Sequence, residues 1–200
     1  MTNPDTIAAI VTAPGEAGVS IIRVSGPQSH PLADQLFRCS PPLPSQRNGY
    51  TCVYGHILDG DDIIDEGLLL LFRKPRSYTA EDVVEFHCHG GGASAQRVLR
   101  ACLNAGARPS DPGEFTRRAF LNGRIDLIQA EAVMDLVHSH SERSQAAAVQ
   151  QLEGKLSSKI NQVYEGLMQV AAQLEATLDF PEDELPASVI PTIQQQIEST

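Results

Sequence analysis

No stretch of this 200-residue chain approaches eighteen consecutive apolar residues, so it encodes no membrane-spanning helix. Its four cysteines, Cys39, Cys52, Cys88 and Cys102, have no CxxC spacing. Nothing else suggests secretion, and they read as reduced, mostly buried thiols rather than a disulfide framework or a zinc site. The opening Met1-Thr2-Asn3-Pro4-Asp5 lacks the basic, apolar and cleavage regions of a signal peptide. A cytoplasmic protein is expected.

Several catalytic signatures are missing too. Gly154-Lys155 is not a phosphate loop, because Val149 occupies the first glycine position and Leu156 the Ser/Thr position. It also falls inside a predicted helix, so nucleotide hydrolysis is not encoded in these residues. Gly92-Ala93-Ser94-Ala95-Gln96 lacks the last glycine of a serine-nucleophile elbow. Basic residues are scarce in the second part of the chain. Residues 125–200 hold 3 Lys/Arg against 12 Asp/Glu, a net of −9, whereas residues 1–124 hold 12 against 13, a net of −1. The acidic part would repel a phosphate backbone. The basic clusters Arg73, Lys74, Arg76 and Arg117, Arg118 read as solvated surface.

What is present divides into two regions. The first alternates strand and helix signals: β-branched runs at Thr6–Thr12 and Val19–Ser25, a short helix at Ser29–Phe37, then a proline-rich loop. Val53–Leu58 and Gly67–Phe72 read as a hairpin across Asp59-Gly60-Asp61-Asp62. A helix over Ala93–Asn104 stops at Gly106. Strands, hairpins and helices in this order predict an α+β (mixed α/β) sheet domain. From Asp126 to Phe180 there is no proline and only two glycines. There Val149, Leu152, Leu156, Ile160, Val163, Leu167, Val170 and Leu174 trace a narrow helical seam. The helix is expected to end near Phe180-Pro181, and Ser188–Pro191 to open another that the chain leaves unfinished, as a fragment of a longer protein would.

The densest chemistry lies between Arg76 and Gly92. With period two, Val84, Phe86 and Cys88 face one way and Val83, Glu85, His87 and His89 the other. An acid and two imidazoles thus stand about 7 Å apart along a strand that runs into three glycines, where a ligand or another backbone can approach closely. Glu85 could accept two parallel N–H bonds from an aminopyrimidine-type ring. Arg23, inside an apolar strand, needs an acid such as Glu85 or Asp82, an anionic ligand, or an edge position from which to snorkel. His87 and His89 form an H-x-H pair that could ligate a metal with a third ligand. At the junction, Asn122-Gly123 makes a turn from which Arg124 projects, and Asp126 can cap the next helix.

Read in order, Thr6-Ile7, Ala13-Pro14-Gly15, Ile22-Arg23-Val24-Ser25-Gly26, Ser77–Glu85, His89-Gly90-Gly91, Pro112–Thr116, Ala119–Leu127, Gln129–Ala132 and Asp179–Glu182 resemble the N-terminal part of the MnmE (TrmE) family of tRNA-modifying GTPases. The resemblance implies a tetrahydrofolate-binding and dimerisation domain over residues 1–120, similar to folate-dependent aminomethyltransferases. Residues 121–200 would begin a helical domain. By motif, Arg23, Glu85 and Arg124 fall on folate-contacting positions, with methylene- or formyl-tetrahydrofolate as the ligand. Arg124 stands where lysine is usual, and Ala80 where glycine is usual. The family partner is the FAD-containing MnmG, and the substrate is tRNA, modified at C5 of the wobble uridine. GTP, Mg2+ and K+ would belong to a GTPase domain that these residues do not contain, so this chain alone is expected neither to hydrolyse GTP nor to modify tRNA. A purely structural dimerisation scaffold and a metal-dependent hydrolase using His87 and His89 are the alternatives.

Overall fold

The computed structural model describes residues 5–179, which fall into two compact units divided between Ile125 and Asp126. The first unit is α+β. Its strands are β1 (Ile7–Ile10), β2 (Val19–Ser25), β3 (Phe37–Arg38), β4 (Thr51–Asp59), β5 (Asp62–Phe72), β6 (Val83–His89) and β7 (Arg108–Pro109). Helices α1 (Ser29–Leu36), α2 (Gly92–Asn104) and α3 (Glu114–Leu121) complete it. The strands form one sheet in the order β3-β4-β5-β6-β2-β1-β7, antiparallel throughout except between β1 and β7.

Strand alternation decides which face is core. Ile22 and Val24 of β2, Val84, Phe86 and Cys88 of β6, and Leu69 and Leu71 of β5 are buried together with Leu32, Ala33, Val98 and Cys102 from α1 and α2. Phe86 is fully buried, its ring centroid 6.4 Å from that of Phe37. Truncating it to alanine would cost about 3–5 kcal/mol by the usual scale for buried aromatics. Burial pushes the Cys102 thiol up to about 12, so it is inert packing. Cys88 is buried as well, but Cys52 is exposed and Cys39 half-buried, so only two of the four thiols are core. Arg23, Glu85 and His87 stand on the face that α1 and α2 do not fill.

The hairpin strands are longer than their apolar runs. β5 starts at Asp62 rather than Gly67, and β4 extends to its partner Asp59, with the register shifting at Ile57/Leu58. The acidic segment reads as loop in sequence because Asp62 and Ile63, on opposite faces of the strand, are both exposed. Of the three glycines after β6, Gly90 is the one that another backbone requires. A Cβ there would lie 1.8 Å from the carbonyl oxygen of Ala17 in the β1–β2 loop.

The second unit contains α4 (Leu127–Val137), α5 (Glu142–Leu152) and α6 (Lys155–Asp179). Asp126 caps α4 as expected: its carboxylate accepts from Gln129 N at 2.8 Å while the Gln129 side chain accepts from Asp126 N at 3.0 Å. The continuous helix expected through Gly154 does not form. Gly154 adopts φ +79°, and the apolar seam is split between Leu152 of α5 and Leu156 of α6. Left-handed backbone is where glycine ends helices, a signal that the 3–4 periodicity around it concealed. Val170 is buried, while Leu156, Ile160, Val163, Leu167 and Leu174 are between 39% and 54% exposed. The expected stop at Phe180-Pro181 and the helix start at Ser188–Pro191 lie outside the described residues.

The two glycine environments predict opposite outcomes on urea unfolding. Gly90→Ala should lose about 1–3 kcal/mol through the clash with Ala17. Gly92→Ala, in helix α2 with nothing within 4 Å of its Cβ position, should be neutral or stabilising by up to about 1 kcal/mol.

Candidate ligand-binding site

Seven consecutive residue pairs join β2 to β6, and Arg23 lies directly opposite Glu85. Arg23 Nε donates to Glu85 Oε1 at 2.8 Å. Glu85 Oε2 accepts from His87 Nε2 at 3.3 Å. The partner demanded for Arg23 is therefore Glu85. Asp82 is engaged elsewhere, accepting from Lys74 N at 2.9 Å. The snorkelling alternative is overturned, because β2 lies inside the sheet between β6 and β1.

A cavity of about 360 Å³ opens over this pair, lined by Arg23, Val83, Glu85, Tyr78, Phe72 and Arg124, among others. The structure thus brings together all three residues singled out from sequence. Arg124 arrives from the turn after α3, where its N–H donates to Ala119 O at 2.9 Å. Tyr78 was not singled out, although it sits in a quoted motif. Its ring lies 4.8 Å from the Arg23 guanidinium carbon and 5.0 Å from that of Arg124. Both guanidinium groups are thus within reach of the π system of one tyrosine. Phe115 adds a second ring to Arg23 at 5.5 Å. Only a fold that returns the 73–82 loop over β2 makes these contacts, so spacing could not reveal them. Tyr50, also missed, lines the rim and packs edge-on against Phe72 at 5.8 Å.

The loop carrying Tyr78 is anchored from beneath. Tyr78 Oη and Thr116 Oγ1 are 2.9 Å apart, and Asn122 Nδ2 donates to Thr79 O at 2.7 Å. Ser25 Oγ lies 2.7 Å from both Thr79 Oγ1 and Glu81 Oε2. Glu81 in turn meets Arg118 Nη1 at 3.2 Å, and Arg118 reaches Glu114 and Asp5. Arg118 is therefore the centre of an ion network rather than solvated surface, a correction to its expected role. Arg73 also departs from that reading, since its guanidinium is tied to the Ser45 and Arg47 carbonyl oxygens. Ala80 adopts φ +58°, the backbone region in which glycine is the usual residue.

The H-x-H pair is committed to carboxylates. His87 bonds Glu85, and His89 Nδ1 bonds Asp65 Oδ1 at 2.7 Å. That bond raises the His89 pKa. Burial opposes ionisation of Asp65, but hydrogen bonds from Ser94 and His89 hold its carboxyl below the usual range. Among the described residues no group of three or more His, Cys, Asp or Glu could hold a metal ion.

Two family models match the chain in tandem: the GTP-binding protein TrmE N-terminus over residues 6–124 and the MnmE helical domain over residues 127–200. The chain is 51% identical over 183 residues to the tRNA modification GTPase MnmE of Symbiobacterium thermophilum, and 48% over 180 residues to that of Shouchella clausii. It is 42% identical over 193 residues to the protein of that name from Clostridioides difficile. These matches cover 90%, 89% and 96% of this chain but 40%, 39% and 42% of the relatives. The chain spans about two fifths of their length.

The anchoring network predicts an acid response. Arg108 chiefly, against the opposing effect of burial and with help from the Asp111 N–H and Arg118, lowers the Glu114 pKa from an ordinary 4.5 to about 2. A depressed carboxyl stabilises the fold fully above its unfolded pKa and loses that effect as pH falls through the folded one. Urea unfolding should therefore show stability declining between pH 4.5 and about 2. Glu114→Gln should be less stable at pH 7 by roughly 3 kcal/mol and should lack that part of the decline.

Proposed function

Because the chain belongs to the MnmE (TrmE) family of tRNA modification GTPases, contributing its N-terminal and helical domains, we propose that its first unit binds a reduced folate in the cavity over Arg23 and Glu85. The observation that carries this reading is the Arg23–Glu85 pair facing a cavity whose other polar residues include Arg124 and whose walls include Tyr78 and Phe72. The donor set suits a reduced pterin. Glu85 would accept from its amino-pyrimidine edge, and the two arginines would meet its carbonyl or the glutamate tail. A volume of about 360 Å³ is at the small end of the range for such ligands, so part of the folate would project from the mouth.

The folate would supply the one-carbon unit destined for C5 of the wobble uridine of tRNA, in a reaction shared with MnmG and its FAD. The chain's own contribution is binding and orientation. Glu85 and Arg23 hold the ring, the Tyr78 loop walls off one side, and the open mouth leaves the carried carbon reachable. GTP, Mg2+ and K+ would act in a GTPase domain not contained in these 200 residues. The first unit is also proposed to form a homodimer. Tyr54, Leu68 and Val19, exposed at 61%, 40% and 50% beside His87 and His89, support a second surface on this sheet face. The same row favours a second reading, a dimerisation scaffold that binds no folate, in which case folate would leave the melting temperature unchanged.

Isothermal titration of 5-formyl-tetrahydrofolate into the chain tests the proposal. Saturable binding, reduced at least about tenfold by Glu85→Ala, is expected. The unliganded variant should still fold cooperatively, with a melting temperature lowered because Arg23 loses its partner. Equal affinity in both proteins would remove Glu85 from the site.

A further inference from the structure

We propose that His87, which lies outside the cavity lining, is a positioning residue that sets the ligand specificity of Glu85. The inference rests on the folate reading and deepens it. A carboxylate offers about four accepting directions, two on each oxygen. In Glu85 one direction on Oε1 is taken by Arg23 Nε at 2.8 Å, and one on Oε2 by His87 Nε2 at 3.3 Å. An ionised carboxylate can only accept, so the imidazole nitrogen facing it carries the proton. One accepting direction remains on each oxygen. That pattern matches a ligand edge with two parallel N–H donors, such as the 2-amino and N3–H groups of a pterin.

The two protein donors also fix the plane of the carboxylate. Arg23 grips one oxygen from the neighbouring strand β2, and His87 grips the other from two residues further along β6. The remaining neighbours of His87 cannot replace it. Its direct partners across the sheet are Ile21 of β2 and Leu68 of β5, both apolar. Without His87, Glu85 would keep a single tether and could rotate about it. A ligand needing both oxygens would then pay an ordering cost that a ligand needing only one would not.

The test titrates two ligands, 5-formyl-tetrahydrofolate and its 2-desamino-2-methyl counterpart, into wild type, His87→Ala and His87→Gln. The wild type should prefer the two-donor ligand. His87→Ala should weaken that ligand about tenfold and the one-donor ligand by less than about twofold, while His87→Gln, whose amide can donate, recovers most of the loss. Unchanged affinities in His87→Ala would overturn the inference, as would equal losses for both ligands without recovery in His87→Gln. A folded wild type that binds neither ligand would overturn the folate reading and this inference together. Binding that is lost in Glu85→Ala but indifferent to His87 would overturn this inference alone.

Discussion

The site depends on the antiparallel pairing of β2 with β6, which sets a guanidinium opposite a carboxylate. That register is fixed from the other face, where Ile22, Val24, Val84 and Phe86 must all enter the core. A slip of one residue would send those four side chains toward solvent and the charged pair into the core. Core packing therefore specifies the site geometry, although none of those four residues lines the cavity. The pair itself is partly shielded, with side-chain exposures of 21% for Arg23 and 13% for Glu85. A ligand replacing the remaining water would meet charges already held in place.

The loop over the pair is a second constraint. It is held by polar contacts to Ser25, Thr116, Asn122 and Arg118. These contacts link the strand bearing Arg23, the loop bearing Tyr78 and the turn bearing Arg124. Glu114 completes the arrangement by accepting from both Arg108 and Arg118. Residues far apart in sequence are thus brought to one cavity by an ion network.

Much of this was legible in the sequence. Period-two alternation in Val83–His89 assigned the two faces of β6, and an arginine within Val19–Ser25 demanded a partner that Glu85 provides. The cap at Asp126 was readable because it is local chemistry. Long-range features were less accessible. The cluster of Arg23, Tyr78 and Arg124 joins three segments and leaves no periodic trace. Arg118 looked like surface because its acidic partners, Asp5, Glu81 and Glu114, are spread over more than a hundred positions. Gly154 was misread because seam periodicity continues across the break, while backbone φ is invisible to a count of apolar residues.

The most direct test of the central claim is a crystal structure of the chain with 5-formyl-tetrahydrofolate bound. The account predicts the amino-pyrimidine edge within hydrogen-bond distance of both Glu85 oxygens, with Arg23 Nε still on Oε1 and Tyr78 still against both arginines. A folate seated elsewhere, or one that leaves Glu85 facing solvent, would contradict it.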